Sequence, residues 1–351
     1  MAKAHDQLNP APQRRKIALA LQGGGAHGAF TWGVLDRMLE DPTLDIIGVT
    51  GTSAGAMNAV VLADGLVRGS AAKARQKLRQ YWEAIGEMPG FGSLLWPLTG
   101  EAAADVPIEK TPPYLIWDMM ARNLSPYELN PSNLNPMRGP LNELVDFDRL
   151  RKQDAIQVVV CATNVRTARR RIFTNKDISV DAVLASACLP ELFPAVEIEG
   201  ESYWDGGYTG NPAMTPLITK LPKCDLIIVR IDPILRGDTP RTVRGIHDRV
   251  LEISFNSTFW MELSAFGAIL RLVDQGHLDR ERFGRINFHA IEASDTLEKL
   301  ASSSKLNNYP AFLEYLFDSG RRSADAWLTR HSASIGKQST VDLQKLLLVD
   351  L

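Results

Sequence analysis

Twice near its start the chain runs from a short apolar stretch into a glycine-rich turn and out into a helical pattern. Lys16 to Leu21 (KIALAL) has the length and composition of a buried strand. Gln22 to Gly28 (QGGGAHG) follows, and Phe30, Val34, Leu35, Met38 and Leu39 then recur at helical spacing through Glu40. Ile46 to Thr50 (IIGVT) is a second strand, and Gly51 to Gly55 (GTSAG) a tight turn. A helix of small residues continues through Met57, Val60 and Leu62. Strand, glycine loop, helix, strand, turn, helix is the order of a layered α/β domain.

Further along, residues 86–140 are rich in Pro, Gly, Trp and Met. They read as a long irregular insertion of the kind that serves as a lid or binding loop. Ile156 to Thr163 and Arg171 to Thr174 read as two strands joined by a basic turn, and Val180 to Ala187 as a helix. Val196, Ile198 and Tyr203 mark a short β region, Asp205-Gly206-Gly207 a turn, and Asp225 to Ile231 a late buried strand. From about Thr242 the pattern is mainly helical, with Val250, Ile253, Phe259, Met261 and Leu263 along one segment.

Composition narrows the function. Lys and Arg number 39 against 41 Asp and Glu, so no domain-wide basic excess advertises nucleic acid. Cys161, Cys188 and Cys224 are far apart and form no C-x-x-C pair, which disfavours a zinc ribbon or a thioredoxin-type site. Three cysteines also fit a reducing compartment. The polar start, MAKAHDQLNPAPQRRK, has no apolar h-region, so no Sec-type signal is expected and the location reads as cytoplasmic. The uncharged stretch from Ile17 to Leu35 carries Gln22 and several glycines and does not read as a membrane span.

The GTSAG turn matches G-x-S-x-G between a strand and a helix, a setting that exposes the Ser53 hydroxyl above the sheet. The helix behind Ser53 presents its positive end to developing negative charge. A serine nucleophile needs a base. His5, His27, His247, His277, His289 and His331 include no residue in an obvious turn at a strand end after the serine, although His27 beside the glycine loop stays open. Asp205, in YWDGGY, can project into a cleft. Its weak basicity would improve if burial raised its pKa. QGGGAHG fits G-x-G-x-x-G, so it either cradles a pyrophosphate or offers its amides to an oxyanion. A dinucleotide site asks for an acid about 20 residues on, and Ile46 to Thr52 contains none.

QGGGAHG, then GTSAG, then DGG at 205, with ASACLPELFPAVEIEGESYWDGGYTGNP leading into it, together resemble the patatin-like phospholipases. The resemblance runs from about Lys16 to Pro216. It implies a three-layer α/β/α fold with a mixed, largely parallel sheet. It also implies a lipid acyl hydrolase that works through an acyl-serine, without metal or cofactor. In that reading Ser53 is the nucleophile and Asp205 the base. The oxyanion site falls on Gly23, Gly24 and Gly25, with the amides of Gly24 and Gly25 as donors. Gly28, Gly51, Gly55, Gly206 and Gly207 are the remaining motif glycines. Gln22 and His27 depart from the family pattern, and both leave the backbone donors intact. The implied organisation is a tail (1–15), a catalytic domain (16–218) with the insertion, and a C-terminal strand plus mainly helical extension (219–351) packed on it.

Other features have two readings. Arg166 to Arg171 (RTARRR) is a solvated hairpin turn or an anionic headgroup contact. Phe91, Leu94, Leu95 and Trp96 pack locally or dip into a lipid interface. Phe255 to Leu270 reads as a core helix, and LQKLLLVDL as a docking helix. The expected partner is a lipid or other acyl ester, with peripheral membrane contact open and the oligomeric state unreadable. A soluble esterase, thioesterase or acyltransferase is the alternative within enzymes. A non-catalytic lipid-binding module on the same scaffold is the alternative outside them.

Overall fold

The computed structural model describes residues 14–89, 108–232, 239–279, 281, 286–293, 297 and 300–343. Strand β1 (Arg15–Leu21) leads through the glycine loop to α1 (Gly28–Met38). Then come β2 (Leu44–Gly51), α2 (Ala54–Val67) and α3 (Ala71–Glu87). Helices α4 (Pro112–Ala121), α5 (Arg138–Leu144) and α6 (Phe147–Lys152) precede β3 (Gln157–Asn164), β4 (Arg170–Thr174) and α7 (Val180–Ser186). Next are β5 (Val196–Ile198), β6 (Glu201–Asp205), α8 (Thr215–Lys220) and β7 (Asp225–Arg230). The 32-residue α9 (Val243–Asp274), β8 (Phe288–Glu292) and α10 (Pro310–His331) follow.

The strands form one sheet in the order β5-β6-β3-β2-β1-β7-β8, with β4 paired to β3. The pairs β3-β2, β2-β1, β1-β7 and β7-β8 are parallel, whereas β4 and β6 run antiparallel to β3. This is the expected mixed, largely parallel sheet. Alternation along β1 divides the core. Ile17, Leu19 and Leu21 pack with α1, α2, α3 and α10, while Ala18 and Ala20 face the other way. On that second face they meet Phe259 and Leu263 of α9 and Leu217 of α8. Helices thus cover both faces, as a buried parallel sheet requires.

Two expectations change. The described part of 86–140 is largely helical: α3 runs on to Glu87, α4 and a one-turn helix (Pro126–Leu129) lie inside the insertion, and α5 begins in it at Arg138. Pro112 and Pro126 stand in the first turn of their helices, where the missing N–H has no intrahelical role, so they start helices instead of breaking them. The mainly helical last third contains β8, whose five residues extend the sheet beyond β7. Phe91, Leu94, Leu95, Trp96 and all but the first residue of LQKLLLVDL lie outside the described residues.

Candidate active site

The carboxyl ends of the parallel strands gather the conspicuous loops, the usual place for a site in such a sheet. β1 ends at the glycine loop, β2 at Ser53, and β6, antiparallel, brings Asp205 opposite Ala162 near the end of β3.

Ser53 caps α2 with φ 55° and ψ −126°, a conformation that costs a non-glycine residue on the order of 1–3 kcal/mol. Its neighbours hold it there. The Ser53 N–H donates to Ser186 Oγ at 3.0 Å, and Thr52 Oγ1 donates to the Gly210 carbonyl at 2.6 Å. A Cβ at Gly55 would stand 2.2 Å from the Leu21 carbonyl oxygen, so this turn closes only on glycine. The turn and the end of β1 are thereby packed backbone to backbone, and the hydroxyl sits at the start of a 14-residue helix.

Asp205 is fully buried at the end of β6. Its N–H donates to the Cys188 carbonyl at 2.7 Å, and its carbonyl accepts from Thr163 Oγ1 at 2.8 Å. Oδ1 accepts from the Gly207 N–H at 2.7 Å. Oδ2 makes no hydrogen bond of regular geometry, yet the Ser53 hydroxyl is close enough to favour the ionised form. Burial dominates and pushes this carboxyl up to about 7. The Gly207 N–H and the Ser53 hydroxyl oppose that rise, Glu191 adds to it, and Lys305 counters it.

The glycine loop is fixed from several sides. Gln22 Oε1 accepts from the Ile231 and Asp232 N–H groups at 2.9 and 3.1 Å, tying the loop to the chain beyond β7. The Gly23 N–H donates to Asn211 Oδ1 at 2.7 Å. Of the three glycines expected at the oxyanion site, Gly23 therefore has its donor engaged. No hydrogen bond among the described residues engages the Gly24 or Gly25 N–H. Gly25 has φ +57°, and a Cβ there would lie 2.3 Å from the Lys305 carbonyl oxygen. His27 Nε2 is 2.7 Å from Ser304 Oγ, and Lys305 Nζ pairs with the buried Asp232 at 2.7 Å. The two departures from the family pattern, Gln22 and His27, are thus buried anchors of the loop.

His289 bonds Asp225 at 2.9 Å, at the opposite end of β7 from the loop. His5 lies outside the described residues. Ser186, Glu191, Asn211, Ser304 and Lys305 escaped the sequence reading. Ser186, Glu191 and Asn211 stand in the segment that carries the family resemblance, but only the fold shows what each one touches, and Ser304 and Lys305 belong to no motif.

Cys161 and Cys188 are buried, and burial pushes both thiols up to about 12, which leaves them unreactive. Three of the four arginines of the basic run are paired within the protein: Arg166 with Glu201, Arg170 with Glu262 and Arg171 with Asp177. Among the described residues, no group of three or more His, Cys, Asp or Glu could hold a metal ion. No described helix is long and apolar enough to cross a membrane.

Several solved structures are similar to this chain. VipD from Legionella pneumophila is similar at 16% sequence identity and a TM-score of 0.41, over 92% of this chain and 68% of VipD. The type III effector ExoU is similar at 17% identity and a TM-score of 0.34, over 92% of this chain and 54% of ExoU. ExoU from Pseudomonas aeruginosa in its complex with SpcU gives 14%, 0.34, 91% and 52%. This chain spans about half the length of ExoU. No curated protein matches it. The family model described as Patatin-like phospholipase matches residues 19–218, more than half of the chain. That span holds the glycine loop, the Ser53 turn and the Asp205 turn, and the chain belongs to the patatin-like phospholipase family, whose members are lipid acyl hydrolases.

Proposed function

We propose that the protein hydrolyses carboxylic ester bonds of a lipid by two-step acyl transfer, with Ser53 as nucleophile and Asp205 as its base. The observation that carries this reading is the Asp205 carboxyl. It is fully buried, raised to about 7, and influenced by the one hydroxyl that sits on a strained turn at a helix start. A base of that pKa is half ionised near neutrality, where it both accepts and returns a proton readily.

Asp205 takes the Ser53 proton as Oγ attacks the acyl carbonyl. The carbonyl oxygen becomes an oxyanion, which the Gly24 and Gly25 N–H groups receive. Such a donor contributes about 3 kcal/mol to the rate. The start of α2 adds its dipole. The tetrahedral intermediate collapses to an acyl-serine, and the leaving alcohol or lysolipid takes the proton from Asp205. Water then gives its proton to Asp205 as it attacks the acyl-serine. Collapse of that second intermediate releases the fatty acid and returns the proton to Ser53.

Fatty-acid release from phospholipid and from p-nitrophenyl esters, with and without chelator, tests the reading. Wild type should turn over in both conditions. Ser53→Ala and Asp205→Asn should each lose at least about a thousandfold, given how such residues act as a unit. Turnover near the wild-type level by either variant contradicts the dyad.

A further inference from the structure

We infer that Phe255, on α9, is a positioning residue for the reaction: its ring clamps the Gly207 backbone and so holds the Gly207 N–H on the Asp205 carboxylate. The inference rests on the dyad proposed above and assigns a role to a helix beyond the family-matched residues 19–218.

The two glycines after Asp205 are each pressed by a different part of the fold. A Cβ at Gly206 would stand 2.1 Å from the Cys161 carbonyl oxygen of β3, so Gly206 rests on the sheet. A Cβ at Gly207 would stand 2.7, 2.8 and 2.9 Å from three ring carbons of Phe255. The ring therefore fills the space of a side chain at 207 and lies against the glycine backbone itself. That same backbone makes the contact that matters for the base: the Gly207 N–H donates to Asp205 Oδ1 at 2.7 Å. Held by the sheet at 206 and by the ring at 207, the turn has little room to swing its N–H away.

Phe255 is itself held firmly. One turn earlier on α9, Glu252 is buried and accepts from Ser302 Oγ at 2.8 Å. One turn later, Phe259 joins the buried cluster that includes Ala18 and Ala20 of β1. Positions 252, 255 and 259 share one face of the helix. Tyr208 braces the Phe255 ring edge-on, with ring centres 4.9 Å apart and planes at 89°. Core filling does not account for Phe255. It is half-buried, and among the described residues it belongs to neither hydrophobic cluster.

The clamp protects the orientation of the carboxylate. With Oδ1 held by Gly207, Oδ2 keeps no regular hydrogen bond and is reserved for the Ser53 proton. A carboxylate free to turn about its last bond would lose that reservation. The charge-assisted bond from the amide also favours the ionised base. Both effects act on the proton transfer and not on the binding of substrate, so their loss should appear in kcat and spare KM.

Two measurements on full-length protein test this. One is the kinetics of a soluble p-nitrophenyl ester. The other is the Gly207 amide proton resonance of protein isotopically labelled at glycine, followed against pH. In wild type that resonance should titrate with Asp205, at about 7. Phe255→Ala should lower kcat about tenfold with KM within about twofold, and should take the Gly207 resonance out of that titration. Phe255→Leu, which keeps an apolar filling without a ring, should change both in the same direction, and is the variant to read if Phe255→Ala does not fold. Gly207→Ala should lower kcat at least about tenfold in the wild-type background, where its Cβ meets the ring. In the Phe255→Ala background, where that space is open, it should cost less than about twofold more.

An unchanged kcat without the ring, or a loss carried by KM, overturns the clamp. So does a Gly207 resonance that titrates as in wild type without the ring, or a Gly207→Ala loss of equal size in both backgrounds. If wild type hydrolyses no ester, or Ser53→Ala hydrolyses as well as wild type, the dyad fails and the resonance alone decides. Gly207 titrating only when the Phe255 ring is present then supports the clamp. Titration with and without the ring, or in neither protein, overturns it.

Discussion

His27 and Ser304 stand 277 residues apart in sequence and 2.7 Å apart in space, joining the candidate oxyanion loop to a turn far beyond the family-matched residues. Ser304 also donates to the Ala301 carbonyl at 2.6 Å, which leaves its oxygen free to accept from an imidazole N–H. One residue on, the Lys305 carbonyl closes over Gly25. The C-terminal part of the chain therefore props the loop whose amides the mechanism needs.

Ser304→Ala removes one hydrogen bond that fixes this loop. A net hydrogen bond is worth about 1 kcal/mol, and loop geometry matters most when charge develops on the carbonyl oxygen. The variant should lower kcat by about tenfold with KM nearly unchanged. Steady-state kinetics on a soluble ester checks this. An unchanged kcat would show that the loop holds its shape without Ser304.

The acid limb of kcat/KM should report Asp205, which must be ionised to accept the serine proton. Activity should rise with pH through about 7 and then level off, because burial raises this carboxyl to about 7. Glu191 raises that value and Lys305 lowers it. Glu191→Gln should move the limb to lower pH and Lys305→Met to higher pH. Lys305→Met also strips the ammonium from Asp232, so position on the pH axis, not absolute rate, is the reading to take. Shifts in the same direction for both variants would contradict the electrostatic account.

Asp205 also sets a stability cost. Its carboxyl titrates near 3.8 when free and at about 7 when folded, so the native state holds the proton more tightly. Above about pH 7 the buried carboxylate is ionised and weakens the fold. Between about 7 and 4 that penalty fades as the folded carboxyl protonates. Asp205→Asn should therefore raise stability on the order of 2–4 kcal/mol near pH 8, and the gain should vanish toward pH 4. Urea unfolding at the two pH values checks it. A variant less stable than wild type near pH 8 would contradict the assignment of desolvation as the main cause.

The sequence exposed the parts of the site that local chain geometry dictates. GTSAG between a strand and a helix locates Ser53 because only glycine permits the close approaches at positions 51 and 55. DGG locates Asp205 because Gly206 packs against the carbonyl of Cys161 and Gly207 returns its N–H to the carboxylate. What stayed hidden depends on tertiary contact. Asn211 engages the Gly23 amide across 188 residues, a pairing that its place in the chain does not disclose. Helix α4 and the one-turn helix Pro126–Leu129 were masked by prolines, which break a helix inside but begin it well. β8 is a five-residue edge strand set by pairing to β7, too short for periodicity to separate it from a helix.

Intact mass and peptide mapping after reaction with a fluorophosphonate, in the presence of chelator, test the central claim most directly. Ser53 as an activated nucleophile predicts one adduct per chain, mapped to Ser53, absent in Ser53→Ala and strongly slowed in Asp205→Asn. An adduct on another residue, or none on folded wild type with vesicles present, would contradict it.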